Sequence, residues 1–523
     1  MKKRKTALAL AAIAAAAALA AGCGNGKKTA GDNGKTTFTY WAMLPGPIAT
    51  RVDSLGDVEM YKEREKETGV HIEFIHPAQG QESEQFNLMI ASGDLPDMIE
   101  YDWAEYSGGA QKAIDDGVII ALNRYMDDKL PDFKKVLEGN SSYDKGSKTD
   151  AGNYYAFPNI NTGSYKTFGG PLIRKDWLDE LGLQIPETID DWTNVLTAFK
   201  EKKGVETPFT TMKSYFDYTD GFNGAWNVGQ RFYVDDGKVK FGPMENGYKD
   251  YLAQMNKWYA AGLIDRDYGT NKREVIDHKM TNDGAGATYF TIGGAQGVYL
   301  KQMEKKNPDY NLVAAPYPVL KKGDVNEFCS YEQDVYQSFL AISTSCKEPE
   351  KAAEWMNFWY SDEGYKLMNF GVEGKTYNMV DGKPVYTDEI LHNPDNLSIN
   401  EALSLHCRAT QAAPGLRQAP EYLEQYYQYP QQIDSLKLWS KNTDAVKKHV
   451  LPACISPSDR DREEYYALSA SVRTYVEEMN LKFITGEEPI ENYDKFVENL
   501  KDKFNMKKLL QIQQNMYDSY LER

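Results

Sequence analysis

From Thr36 onward the apolar positions fall into short runs whose period switches between that of a strand and that of a helix. Residues 37–41 (TFTYW) form a β-prone run. Residues 57–68 are charged with helical spacing and end at Gly69, a residue that tolerates the left-handed turn closing a helix. Residues 70–75 (VHIEFI) predict a second strand stopped by Pro77. Residues 82–92 predict an amphipathic helix with Phe86, Met89 and Ile90 inward, closed at Gly93, and residues 97–101 a third strand. Strands about 30 residues apart with a helix between them are βαβ units, so a mainly parallel sheet is expected.

A second α/β block begins near Gly169. Residues 171–174 lead into a helix over 176–181 with Gly182 as its stop. Residues 189–203 predict a helix begun by Thr188 or Asp190, with Trp192, Val195, Leu196 and Phe199 on one face. Further strands are expected at 286–292, just before Gly293-Gly294, at 312–315 and at 337–343 (QSFLAIS), with a helix over 349–360. Beyond about residue 395 the pattern is helical and rich in tyrosine.

The first residues follow a different logic. Lys2, Lys3, Arg4 and Lys5 precede a run, residues 7–21, without a polar side chain. That run is short for a membrane span and is followed by a small-residue processing site, the pattern of a signal peptide over residues 1–22. The site reads Leu19-Ala20-Ala21-Gly22-Cys23 and resembles the bacterial lipobox, which implies cleavage before Cys23 and lipidation of its thiol. It departs from that pattern in placing Ala20 where an aliphatic residue is usual. Residues 23–35 then comprise Cys23 and a Gly/Lys/Asn/Asp tether with little to bury.

Roughly 490 residues remain after the tether, too many for one core, so two or more domains are expected. The formal charge of −17, more negative still once the basic leader is removed, disfavours nucleic acid and anionic lipid as partners. Cys329, Cys346, Cys407 and Cys454 fit no zinc, haem or disulfide framework, and the six histidines are scattered without an HExxH. No cofactor or metal follows from these residues.

Four segments taken in order carry a resemblance: IASGDLPDMIEYDW (90–103), YYAFPNI (154–160), PLIRKDWLDELGLQIPETIDDW (171–192) and YSDEGYKLMNFGVEG (360–374). Together they resemble bacterial extracellular solute-binding proteins, the receptors of ABC importers, in the large branch that includes the alginate-oligosaccharide-binding proteins. The resemblance covers most of residues 36–375. It implies a two-lobed α/β fold of the periplasmic-binding-protein type II class, with a hinge and a helical C-terminal part. The first lobe is expected over 36–165 and 336–395, the second over 166–335 and 396–523, with crossings near 160–168, 330–338 and 390–400. With the lipobox it further implies a monomer lipid-anchored on the outer face of the cytoplasmic membrane, with an oligosaccharide and the permease subunits as partners. Calcium-binding relatives carry an Asp/Asn-rich loop after the DDW helix. Residues 200–208 (KEKKGVETP) lack that set of close oxygen ligands, so the metal site is expected to be lost.

In open parallel sheets the ligand sits beyond the carboxyl ends of the strands. That rule selects Trp41 and Met43 after the first strand and Tyr101, Asp102 and Trp103 after the third. Sugars offer apolar C–H faces ringed by hydroxyls, and flat aromatics with carboxylates suit both. The aromatic segment 208–226 contributes Phe222 and Trp226, Arg174 ends a strand with forked donors, and Tyr289 precedes Gly293-Gly294. A glycoside hydrolase or lyase, and a peptide receptor on the same fold, are the competing readings. Acidic pairs such as Asp190-Asp191 and Asp235-Asp236 look like helix starts and turns, and there is no GxSxG, so no catalytic residue is assigned.

Overall fold

The computed structural model describes residues 35–45, 48, 49, 51–335, 338–395 and 397–523. The leader, Cys23 and nearly all of the tether lie outside the described residues. Among those described, no helix is long and apolar enough to cross a membrane.

The chain opens with β1 (Thr37–Trp41), α1 (Glu59–Thr68), β2 (His71–Ile75), α2 (Glu82–Ser92) and β3 (Met98–Tyr101). Gly69 and Gly93 close the two helices at φ 68° and 70°, the conformation their sequence positions require. Phe86 is buried on the inner face of α2, with Met89 and Ile90 half-buried beside it. Both neighbours of β1 run parallel to it. The chain crosses through β4 (Asn159–Asn161) into a second lobe built from β5 (Gly169–Arg174), α3 (Ile189–Lys202), β6 (Phe209–Thr210), α4 (Asn246–Ala260), β7 (Ala287–Thr291) and β8 (Leu312–Ala314). Thr188 starts α3 with a reciprocal capping box to Asp191, worth about 1 kcal/mol. Trp192, Val195, Leu196 and Phe199 are all buried beneath it.

The second sheet is mixed rather than parallel. Its order is β8-β5-β7-β6, and β5 runs antiparallel to both its neighbours. The cause is where β5 begins. Gly169 is registered against Thr291 at the carboxyl end of β7, so β5 enters the lobe at the crossing edge and runs away from it.

The chain returns to the first lobe as β9 (Phe339–Ile342), antiparallel beside β3, completing the order β9-β3-β1-β2. It stays there longer than 336–395. Residues after α5 (Ile399–His406) supply Arg408, paired with Glu100, and β10 (Gly415–Arg417), which runs parallel to β4. α6 (Pro430–Trp439) is the first later element on the second lobe, where the Trp439 indole donates to Ala315 O at 2.8 Å. The third crossing therefore lies between 427 and 430 rather than at 390–400.

The remaining helices, chiefly α7 (Arg462–Thr485) and α8 (Met506–Glu522), pack on the second lobe through α4 and the 232–241 hairpin. Both also reach the first lobe: Tyr466 donates to Ala104 O at 3.2 Å, and Arg523 to Lys148 O at 2.7 Å. Cys329, Cys346, Cys407 and Cys454 form no disulfide.

Candidate ligand-binding cleft

β1 and β3 end side by side, with Trp41 registered against Ile99, so the residues after each strand emerge at one edge of the first sheet. Beyond that edge is a hollow of about 420 Å³, within the range of small-ligand sites. Trp41, Met43, Tyr101 and Asp102 line it together, joined by Ser338 and the loop after α5. Trp41 meets Tyr101 edge-on with ring centroids 5.7 Å apart, and Phe86 stacks behind Tyr101 at 4.1 Å, which makes one wall rigid and aromatic. Met43 stands at the rim 49% exposed, an adaptable apolar contact left open to solvent.

The acids around this wall differ in state. The Tyr101 hydroxyl donates to Glu105 at 2.7 Å, and burial with that carboxylate pushes its pKa up to about 12. Asp102 accepts the Ala104 N–H at 3.0 Å, capping the turn Trp103–Glu105. Burial, reinforced by the charge of Glu105, raises its carboxyl above the ordinary range.

Under the hollow lies an ion pair that no local pattern announces. Arg408, 2% exposed, grips Glu100 with two bonds of 2.8 Å. Glu100 also accepts the hydroxyls of Tyr40 and Ser338, each at 2.5 Å. Arg408 in turn donates to Tyr61 Oη at 3.2 Å and to Ala412 O at 2.9 Å. Burial alone would raise the Glu100 pKa, but the Arg408 charge and the donors outweigh it and hold the carboxyl below its usual range. Ser338 reaches Glu100 from a left-handed backbone, φ 41°, a conformation that costs a non-glycine residue about 1 kcal/mol or more.

The other expected ligand residues lie elsewhere. Trp103 is 0% exposed, its indole donating to Phe339 O at 3.1 Å, so it braces β9 from within the core and presents no face to a ligand. Arg174 is at the wrong end of its strand. Because β5 runs away from the crossing, its carboxyl end is distal, and Arg174 is buried there between Trp177 and Tyr310, paired with Asp176 and Asp283 at 2.6 Å each.

Phe222 is caged by Trp192, Phe209 and Trp258 at 5.3–5.7 Å. Tyr289 is buried and donates to Asp220 O at 2.7 Å. Both back a narrow crevice shared with Thr211, Tyr215, Thr219 and Gln230 at the carboxyl end of β6. Trp226 is half-buried against Tyr251 with centroids 6.0 Å apart. The three therefore do not form one aromatic face. Two lysines of the 200–208 stretch are engaged with protein oxygens: Lys200 Nζ donates to Ala261 O and Lys203 Nζ to Glu180, each at 2.5 Å.

Residues 54–366 match the family of bacterial extracellular solute-binding proteins, a span of more than half the chain. The chain belongs to that family. As a solute-binding protein it is similar to FusA, the fructooligosaccharide ABC transporter substrate-binding protein of Streptococcus pneumoniae serotype 4, at 25% identity over 87% of this chain and 86% of FusA. It is also similar to the lipoprotein LipO of Bacillus subtilis, at 24% identity over 84% of each chain. Among solved structures, alginate-binding protein AlgQ2, determined without calcium ion, superposes with a TM-score of 0.73. It is 24% identical, and the match covers 93% of this chain and 99% of AlgQ2. The solute-binding fold, with two α/β lobes, accounts for the chain's repeated crossings.

Proposed function

We propose that this solute-binding protein captures an oligosaccharide for an ABC importer and is held by lipid at Cys23 on the outer face of the membrane. The observation that carries the reading is the hollow at the ends of β1 and β3, where a rigid Trp41–Tyr101 wall stands beside the carboxylate of Asp102. Flat apolar surface and acceptors side by side match the alternating C–H and hydroxyl faces of a sugar. FusA is named for fructooligosaccharides and AlgQ2 for alginate, so sugar chains are ligands of proteins similar to this one. LipO's name and the Gly22-Cys23 processing site support the anchor.

The chemistry is capture rather than turnover. A ligand that contacts both lobes binds the closed arrangement better than the open one, and that difference in affinity shifts the population toward the form a permease recognises. The family's members are binding proteins, and two of the carboxyl groups at the hollow are already engaged, Asp102 as a cap and Glu100 in an ion pair, rather than standing as an acid and a base flanking a bond. The test is a thermal-shift and calorimetric panel of di- to hexasaccharides on the purified chain, with the sugar recovered and analysed afterwards. A specific sugar should raise the melting temperature by mass action and be recovered intact. If no sugar raises it, the receptor reading fails. Cleaved product that disappears on mutating one carboxylate would instead favour the hydrolase.

A further inference from the structure

The loop after α5 carries a side-chain amide that no described residue partners. Gln411 is 7% exposed and lines the hollow beside Trp41 and Tyr101. Neither Nε2 nor Oε1 of its buried amide has a hydrogen-bond partner among the described residues. A buried amide without partners destabilises a protein by about 1–3 kcal/mol in general, and an isosteric apolar residue would remove that burden. The loop itself is not slack. Arg408 donates to Ala412 O at 2.9 Å, Arg417 donates to Ala409 O at 3.3 Å, and the Gln411 N–H donates to Arg408 O at 3.1 Å. The backbone that carries the unmet amide is thus held in place by its own neighbours. Groups kept unsatisfied at fixed positions are where a fold gives up stability for binding.

The charges around the hollow define what the amide meets. Among the described residues Arg408 is the only cationic side chain lining it, and its guanidinium is neutralised by the two bonds to Glu100. The carboxyl groups of Asp102 and Glu82 line the same hollow. A sugar bearing a carboxylate would meet carboxyl groups here and no free cation among the described residues to offset its own charge, which partial burial leaves poorly screened.

Resting on the oligosaccharide reading above, we propose that Gln411 reads two neighbouring hydroxyls of a neutral sugar unit docked on the Trp41–Tyr101 wall, and that this hollow rejects uronates. One amide offers a donor and an acceptor a short distance apart, which matches a pair of adjacent hydroxyls, one accepting and one donating. A uronate ring keeps hydroxyl pairs of its own, so its rejection rests on its carboxylate, which is brought against Asp102 and Glu82 without a free cation.

The experiment compares neutral oligosaccharides (fructo-, malto- and galacto-series) with oligogalacturonates and alginate oligomers of matched length. Each is titrated calorimetrically against the wild-type chain and Gln411→Leu at neutral pH, with the melting temperature measured for both proteins. The best neutral sugar should bind at least tenfold more tightly than any uronate. Gln411→Leu should lower that affinity at least tenfold while its melting temperature holds or rises, a combination that a merely structural residue does not produce. Asp102→Asn should narrow the gap between the two sugar classes. Should Gln411→Leu not fold, Gln411→Ala is read the same way.

Uronates binding as tightly as neutral sugars would overturn this inference and leave the oligosaccharide reading standing. If neither class binds, both fall. Unchanged affinity in the Gln411 variant, or affinity and melting temperature falling together, would remove Gln411 from the site.

Discussion

Trp41 and Trp103 follow neighbouring strands of one sheet and differ in what they can touch. Trp41 has the hollow on one side, whereas Trp103 is enclosed and hydrogen-bonded to β9. Truncation should separate them. Trp103→Ala should lower stability by about 3–5 kcal/mol and leave ligand affinity unchanged in the protein that folds. Trp41→Ala should weaken binding by about thirtyfold, some 2 kcal/mol, beyond any loss of stability. Melting curves and calorimetric titrations on both variants check the pair, and equal affinity loss in the two would contradict their placement. Arg174 belongs to the same lesson: a forked cation at a strand end reads as a ligand clamp until the strand's direction is known.

At the scale of elements, the first lobe's sheet is tied to the loop after α5 by one buried charge pair. Removing one partner of such a pair leaves the other charge uncompensated, so Glu100→Gln should cost about 3–5 kcal/mol. The pH dependence follows from the same contact. Burial opposes ionisation of Glu100 but Arg408 and the hydroxyl donors prevail, so its folded pKa lies below the unfolded value. The stabilisation is therefore complete above the unfolded carboxylate pKa of about 4.3 and is lost as pH falls through the lower, folded value. Wild-type melting temperature should drop across that acid window, and Glu100→Gln should show a shallower drop from a lower start. Parallel curves would show that Glu100 does not carry the effect.

The local elements were largely legible beforehand, because caps and periodicity are properties of neighbours in sequence. Gly69, Gly93 and Thr188 each end or begin the helix their chemistry specifies. The Glu100–Arg408 contact was not legible, because it spans 308 residues and neither partner sits in a pattern that names the other.

For the whole molecule, the two lobes are joined by several passes of the chain, and the last helices touch both. Arg523, its side chain buried, holds backbone oxygens of residues 145, 148 and 454, while α8 packs on the second-lobe hairpin. The proposed anchor belongs to this scale too, since a lipid at the end of a tether would set where the receptor works. Cys23→Ser should shift the protein from the membrane fraction to the medium or to an unprocessed precursor. Recovery of the variant as mature, detergent-extractable protein would rule out lipidation at that thiol.

Residues adjacent in the chain determined a great deal here. The basic, apolar and small-residue order of the leader, the helix caps, the strand runs and the four family segments all depend on contacts within a few residues, which sequence displays directly. The tertiary structure alone decided which strand-end residues share a surface. Strand direction in the second lobe turned Arg174 away from the crossing, and of two tryptophans that are both buried only Trp41 lines the hollow. The return of residues 397–427 to the first lobe placed Arg408 and Gln411 under and beside the hollow. Alternation along a strand states that a side chain is apolar and which neighbours share its face. It does not state what stands opposite, because that depends on chain hundreds of residues away.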